Sequence, residues 1–130
     1  MRYLLMMHVP PGDGTYEHLH WEPADWAAHR AYHERFNREL ADAGELVGIQ
    51  ALTAPNEGKV VRAGAGGVPI TDGIFPEAKE YLAGFWIVDV DSPERAYALA
   101  ARASAAPGPG GAPLDMPIEV RQVMAGPPDA

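Results

Sequence analysis

Two histidines in the first third of the chain are spaced for shared chemistry. His29 and His33 are four residues apart in a segment with helical periodicity, and residues at this spacing share one face of a helix. Paired imidazoles can transfer protons near neutral pH, form half of a metal site, or serve only as structural side chains. A metal site needs a further ligand, and no carboxylate stands at a sequence spacing that predicts a position beside this pair. We predict no metal and no cofactor, and we name His33 and His29 as catalytic candidates.

The stretch 71–85 is the second place where chemistry could be located. It opens on the turn signal Asp72-Gly73, carries four charged side chains within residues 72–80, and runs into an apolar strand. Loops beside rigid strands often carry functional residues, although an ordinary solvated turn has a similar composition. Asp72 is the third catalytic candidate, because a carboxylate beside an imidazole fixes its tautomer and stabilises its cation. This role requires the loop to fold over the first helix.

Further side chains are candidates for contacts with a substrate. Lys79 could bind a substrate carboxylate, or it could join a structural contact between the loop, Glu119 and Arg121. Arg121 lies in an apolar strand and is expected to have a carboxylate partner. Aromatic residues are more often core than pocket lining, but an aromatic pocket for a small molecule is also compatible with the pattern. The predicted substrate-binding set is Tyr32, Phe75, Lys79, Trp86 and Arg121.

The bulk composition limits the classes of partner. The formal net charge is −8 over 130 residues, which argues against nucleic acid and against an anionic membrane surface, since both attract basic faces. The chain has no cysteine, which excludes disulfides, thiolate nucleophiles and cysteine zinc sites. The apolar run at the N-terminus is too short to span a bilayer and lacks a cleavage signal, so we expect a cytoplasmic protein. No phosphate loop, dinucleotide fingerprint or nucleophile elbow is present.

Hydrophobic periodicity and turn signals divide the chain into strands and helices. The predicted strands are Arg2–Val9, Glu45–Leu52, Lys59–Ala63, Val68–Thr71, Tyr81–Val90 and Pro117–Val123, and the predicted helices are about Pro23–Ala43 and Pro93–Ala103.

Two connecting segments carry expectations of their own. The polar segment from Pro10 to Trp21 contains His18 and His20 and is expected to be a loop, with a flap over a pocket as one option. The Pro/Gly/Ala-rich segment from Ala105 to Pro113 is expected to be a mobile connector without core residues.

The order of the elements predicts the fold class. Strand–helix–strand, a hairpin, and strand–helix–strand give an α+β, ferredoxin-like βαββ(β)αβ sheet with both helices on one face. We expect a single domain over residues 1–124, followed by a tail of residues 125–130. The strands are apolar on both sides, so the face without helices needs a cover. A closed two-fold dimer would supply it, and we predict a homodimer.

The residues Asp72-Gly73-Ile74-Phe75-Pro76-Glu77-Ala78-Lys79-Glu80 resemble the signature of the DGPF group of YCII-related proteins, with Ile74 in place of a proline. The resemblance extends in order through Tyr3–Met7, Gly44–Val47, Gly84–Val88, Ser92–Ala96 and Ile118–Arg121. It implies a dimeric α/β barrel made by two sheets packing face to face. It also implies a functional histidine about three turns before the end of the first helix, which His33 matches.

The same resemblance implies an aspartate near the end of the second helix as the partner of that histidine. Residues 103–107 of this chain contain no aspartate.

The resemblance and the two histidines lead to one principal functional hypothesis and two alternatives. In the first, a small dimeric protein uses His33, helped by His29 or Asp72, to move a proton on a small organic molecule, as a cofactor-independent isomerase, lyase or cyclase would. In the second, the dimer binds a small molecule without catalysis, or is an accessory protein linked to sigma-factor regulation as the resemblance suggests. In the third, it is a structural interaction module. The sequence leaves open whether the protein is an enzyme.

Overall fold

Four antiparallel strands form the sheet on which both helices pack. The computed structural model describes residues 1–10, 16–73 and 80–126. Its elements are β1 (Arg2–Val9), α1 (Pro23–Asp42), β2 (Leu46–Ala51), β3 (Lys59–Ala63), β4 (Pro69–Gly73), β5 (Tyr81–Asp89), α2 (Pro93–Ser104) and β6 (Ile118–Gln122). The sheet order is β2-β5-β1-β6, and every neighbouring pair is antiparallel. With one helix in each crossover, this is the ferredoxin-like arrangement that the element order predicted.

The two helices bury their apolar stripes against the same face of the sheet. Phe36 and Leu40 of α1 and Leu99 of α2 are almost completely buried, and they pack with Leu5 of β1 and Val88 of β5. Burying one such side chain contributes about 2–3 kcal/mol to folding. α2 presents alanines to the core, which allows the helix to lie close to the sheet.

The ends of the helices follow the predicted signals. Pro23 occupies the first turn of α1, and Gly44, with a φ of +72°, follows its last turn in the left-handed conformation that glycine adopts without strain. At the start of α2 the Ser92 hydroxyl accepts a hydrogen bond from the Arg95 amide at 3.2 Å. Neither helix in the described part of the chain has the length and apolar content that a bilayer crossing requires.

A separate hairpin, β3–β4, stands apart from the four-stranded sheet. The sequence predicted that β4 would end at Thr71 and that Asp72-Gly73 would form a turn, but β4 continues through both residues. The physical reason lies in the partner strand. Val60 pairs with Asp72 in the ladder, and the Arg62 guanidinium contacts the Asp72 carboxylate at 3.1 Å. The rest of the signature, residues 74–79, lies outside the described residues.

An irregularity in the sheet leads to the functional region. The register between β1 and β5 shifts between Met7 and His8, so that Ala83 has no partner in the ladder. Such bulges bend a strand and are common beside functional sites. Met7, Ala83 and Gly84 at this irregularity line the same cavity as His18 and His20 of the 3₁₀ turn Glu17–His20.

Candidate active site

A cavity of about 860 Å³ lies between the N-terminal half of α1 and the bent end of the sheet. The C-terminal half of α1 fills the core with Phe36 and Leu40, whereas the same stripe one to three turns earlier presents Trp26, His29 and His33 to the cavity. The volume falls in the range of small-molecule sites, and most of the lining is apolar or aromatic. A single face of α1 therefore contributes side chains both to the core and to the candidate site.

His29 is held by a hydrogen bond to the main chain. Its Nδ1 lies 3.0 Å from the carbonyl oxygen of Pro107. Because a carbonyl can only accept, Nδ1 carries the proton, and in the neutral imidazole Nε2 carries the lone pair. Nε2 has no hydrogen bond within the described residues and is not enclosed by them. Burial lowers the pKa of His29, and the bond to Pro107 offsets part of that effect.

His33 lies deeper, and its polar atoms are unsatisfied. Both ring nitrogens are buried and lack a hydrogen-bond partner among the described residues. Its ring centroid is 4.5 Å from that of His29 and 5.6 Å from that of Trp86. Burial, with a smaller contribution from the neighbouring His29, lowers the pKa of His33 to about 4. His33 is therefore neutral at pH 7, and its two nitrogens carry an uncompensated desolvation cost.

The turn that supplies the Pro107 carbonyl is compact. Ala106 is only 1% exposed, Pro107 bridges to Pro113, and the Leu114 amide donates to the Ala106 carbonyl at 2.9 Å. A Cβ added at Gly108 would lie 2.6 Å from Leu114 Cδ2. The prediction of a mobile connector without core residues was wrong, because the Pro and Gly residues here form a closed turn that packs against α1.

Aromatic rings and imidazoles alternate along one wall of the cavity. The ring centroids of His18 and Trp26 are 4.2 Å apart and nearly parallel, and those of Trp26 and His29 are 5.5 Å apart. His29 in turn contacts His33, and His33 contacts Trp86, so the series of ring contacts runs from His18 to Trp86. Burial, and to a smaller extent His29, lowers the pKa of His18. Sequence reasoning assigned no functional role to His18; its only signal was a histidine in a polar segment considered as a flap.

The structure brings together some of the predicted site residues. His29, His33 and Trp86 all line the cavity, and the indole Nε1 of Trp86 donates to Asn37 Oδ1 at 2.8 Å. Tyr32 is directed to α2, where its hydroxyl donates to the Arg102 carbonyl at 2.7 Å, and it does not line the cavity.

Other predicted residues lie elsewhere. Asp72 is half-exposed in the hairpin, and Arg121 is exposed on β6; neither lines the cavity. Glu119, which we expected to help pair β6 with the loop of Lys79 and Glu80, contacts His8 Nε2 at 3.0 Å. Phe75 and Lys79 lie outside the described residues.

Residues from other segments complete the cavity. Trp21 closes it beside His29, with ring centroids 5.4 Å apart, and Leu114 and Met116 approach from the chain that precedes β6. Among the described residues no group of three or more histidine, aspartate or glutamate side chains is arranged to hold a metal ion.

Comparison with known proteins agrees with this fold. The family model described as YCII-related domain matches residues 1–111. No curated protein matches the chain. The chain belongs to the YCII-related family.

Proposed function

We propose that this member of the YCII-related family is a small homodimeric enzyme that transfers a proton on an organic molecule bound in the cavity, without a cofactor. The observation that carries the proposal is the orientation of His29. Its Nδ1–H is occupied by the Pro107 carbonyl, which leaves the Nε2 lone pair as the basic atom beside the cavity. A general base needs this combination of a fixed tautomer and an accessible lone pair.

In this proposal Nε2 of His29 takes a proton from an acidic C–H or O–H of the substrate. The imidazolium then holds that proton on Nε2, while Nδ1–H continues to donate to Pro107. Return of the proton to a different atom of the substrate completes an isomerisation or a cyclisation. Return to a leaving group completes an elimination. The lowered pKa of His29 makes its imidazolium a stronger acid than a free imidazolium, which favours the second half of the cycle.

His33 has a supporting role in this scheme. Two imidazoles with ring centroids 4.5 Å apart resist double protonation, so the pair carries at most one positive charge near neutral pH. Burial lowers the pKa of both rings and so favours a neutral resting site. Asp72 is exposed in the hairpin and paired with Arg62, so its participation would require the hairpin of a second subunit to reach the cavity.

The homodimer is proposed from the apolar residues on the sheet face without helices. Leu4, Met6 and Ile87 alternate along their strands with core residues and therefore point to the opposite face. Leu4 and Ile87 are direct cross-strand neighbours, and all three are only partly buried. A second copy packed on this face would remove them from water, as in the barrel that the family resemblance implies.

A non-catalytic binding protein is the second candidate. The burial of both His33 nitrogens and the largely apolar lining favour it, because both features suit retention of a ligand without reaction. A role as an accessory protein in sigma-factor regulation belongs to this candidate.

Hydrogen–deuterium exchange on candidate substrates distinguishes the proton-transfer enzyme from the non-catalytic binding protein. A panel of small cyclic ketones, enones and hydroxylated aromatic ketones in D₂O is followed by NMR for enzyme-dependent incorporation of deuterium. A proton-transfer enzyme should label at least one compound, and His29→Gln should slow that labelling by about 10²–10⁴-fold, the usual contribution of a general base. His8→Gln, outside the described cavity lining and in contact with Glu119, is the matched control and should retain the rate. Binding without exchange across the panel would favour the second candidate.

A further inference from the structure

The charge around the cavity differs from that of the whole chain. The protein has 18 acidic and 10 basic side chains, yet no aspartate or glutamate is among the described residues that line the cavity. Among the described residues, the titratable and charged groups that line it are Tyr16, His18 and His20 from the segment before α1, and His29, Arg30 and His33 from α1. A cavity built this way does not repel an anion, although the protein surface as a whole does.

The carboxylates that interact with Arg30 and Tyr16 are not part of the described cavity lining. Glu34 lies 3.9 Å from the Arg30 guanidinium, but its side chain is 63% exposed and outside the lining. Glu57 raises the pKa of Tyr16 as a minor cause after burial, and it too is outside the lining. The lining residues of β1, β2, β5 and the segment before β6 are not ionisable. Among the described residues, a negative group on a ligand would therefore meet no competing carboxylate inside.

The body of the ligand is constrained by the aromatic wall. Trp21, Trp26 and Trp86 line the cavity together with apolar side chains such as Ile49 and Leu114. The Arg30 guanidinium lies 6.0 Å from the Trp26 ring centroid, so a positive charge and an aromatic face occur side by side at the margin. Planar aromatic molecules stack on such faces, and offset or edge contacts of this kind add stabilisation beyond that of burial.

We infer that the ligand of this cavity is an aromatic carboxylic acid, bound as its anion together with one proton that the His29–His33 pair takes up. This inference rests on the proposed function, because it takes the cavity as the ligand site. With the added proton on the imidazole pair the basic atom is occupied, so the acid competes with the neutral substrate of the proton transfer. A carboxylate moved from water into an apolar cavity requires a compensating charge. Arg30 can supply it only at the margin, since its side chain is 58% exposed. Inside, the compensating charge can form by protonation of an imidazole.

The unsatisfied atoms of His33 agree with this reading. Both nitrogens lack hydrogen-bond partners among the described residues, and His33 is neutral at pH 7. An incoming carboxylate favours the imidazolium and raises the histidine pKa. The protonated pair then donates to the carboxylate, while the bond from His29 to Pro107 is retained. Affinity for the acid should therefore rise as the pH falls from the bound-state pKa toward the lower free-state pKa, by up to tenfold per pH unit.

Titration calorimetry with matched ligands tests the inference. The probes are indole-3-acetate, its neutral amide indole-3-acetamide, and the non-aromatic cyclohexylacetate, each measured at pH 6, 7 and 8. Running the pH 6 titration in two buffers with different ionisation enthalpies gives the number of protons taken up. We expect indole-3-acetate to bind at least tenfold more tightly than either comparison compound at pH 6, with uptake of about one proton.

Two variants, with a third as the control, assign the effect to named residues. His29→Gln should abolish most of the proton uptake, whereas His8→Gln should leave it unchanged. Arg30→Gln, an exposed substitution that leaves the core intact, should lower the affinity for indole-3-acetate several-fold without changing the number of protons taken up.

Equal affinity for acid and amide, binding of the acid without proton uptake, or no measurable binding of the acid would each overturn the inference. The proposed proton transfer is tested separately, by deuterium exchange on neutral ketones, so that either can fail alone.

Discussion

His33 and Trp86 lie ring against ring, with centroids 5.6 Å apart and planes inclined by 27°. This contact places against the core an imidazole whose two nitrogens have no hydrogen-bond partner among the described residues. Leu5 and Val88 occupy the same sheet face further along and are completely buried. A polar ring at the boundary of such a core costs stability unless a ligand satisfies it. The contact therefore marks where the folded core ends and the candidate site begins.

The first prediction concerns stability. His33→Leu should raise the free energy of unfolding at pH 7 by about 0.5–2 kcal/mol, because it removes two buried unpaired nitrogens and keeps an apolar side chain in place. Urea unfolding of the variant and the parent protein measures the change. The control is Tyr32→Leu, one residue earlier, which should destabilise the protein because it removes the bond to the Arg102 carbonyl. A destabilised His33→Leu would mean that the ring contributes packing that leucine cannot replace.

The second prediction is a pH dependence with a fixed sign. Since the pKa of His33 falls from 6.5 in the unfolded chain to about 4 in the folded protein, the unfolded state binds more protons between these values. The free energy of unfolding should therefore increase as the pH rises from about 4 to 6.5, with a contribution from His33 of about 1–3 kcal/mol. Unfolding curves at half-unit pH steps measure the slope.

The slope should be reduced in His33→Leu and remain in His8→Gln. NMR titration of the imidazole carbon protons gives an independent reading of the His33 pKa, and a value near 6.5 would contradict the prediction.

The third prediction tests the turn that holds His29. Gly108→Ala should destabilise the protein by about 1–2 kcal/mol, because the new Cβ would lie 2.6 Å from Leu114 Cδ2 and Leu114 would have to move. Movement of the turn should also shift the Pro107 carbonyl and alter the NMR titration of His29. Gly126→Ala is the matched control, since a Cβ there has open space. An unchanged His29 titration in Gly108→Ala would show that the turn tolerates the substitution without moving its carbonyl.

The fourth prediction concerns assembly. Ile87→Glu should convert the proposed homodimer to a monomer at micromolar concentration, because it would place a charge in the middle of the apolar sheet face. Sedimentation velocity or light scattering of parent and variant measures the mass. Tyr97→Glu, on the exposed side of α2, should leave the mass unchanged. A parent protein that is already monomeric at this concentration would remove the basis for the dimer.

Much of the fold was accessible from the sequence because its signals are local and repeated. The spacing of Trp26, His29, His33, Phe36 and Leu40 predicted one face of α1, and the structure places all of them toward the core or the cavity. β1 and β3 have the predicted bounds, and α1 starts at the predicted Pro23. In these segments local preference and tertiary packing agree.

The site was less accessible because its geometry depends on contacts between distant segments. Pro107 meets His29 across 78 residues, and composition alone favoured a mobile connector there. His18 reaches Trp26 from a segment without clear periodicity. Asp72 was placed in a turn on its Asp-Gly signal, but pairing with β3 extends the strand through it. Turn propensity describes the isolated chain, whereas a neighbouring strand can override it.

The partner of His29 is a main-chain oxygen, and this has a consequence for how such sites are recognised. Every residue type carries a carbonyl, so no single substitution at position 107 can delete the acceptor; only a displacement of the backbone can. Searches for a histidine paired with an acidic side chain would pass over this arrangement. Relatives that keep the turn could preserve the orientation of the imidazole with entirely different side chains in it.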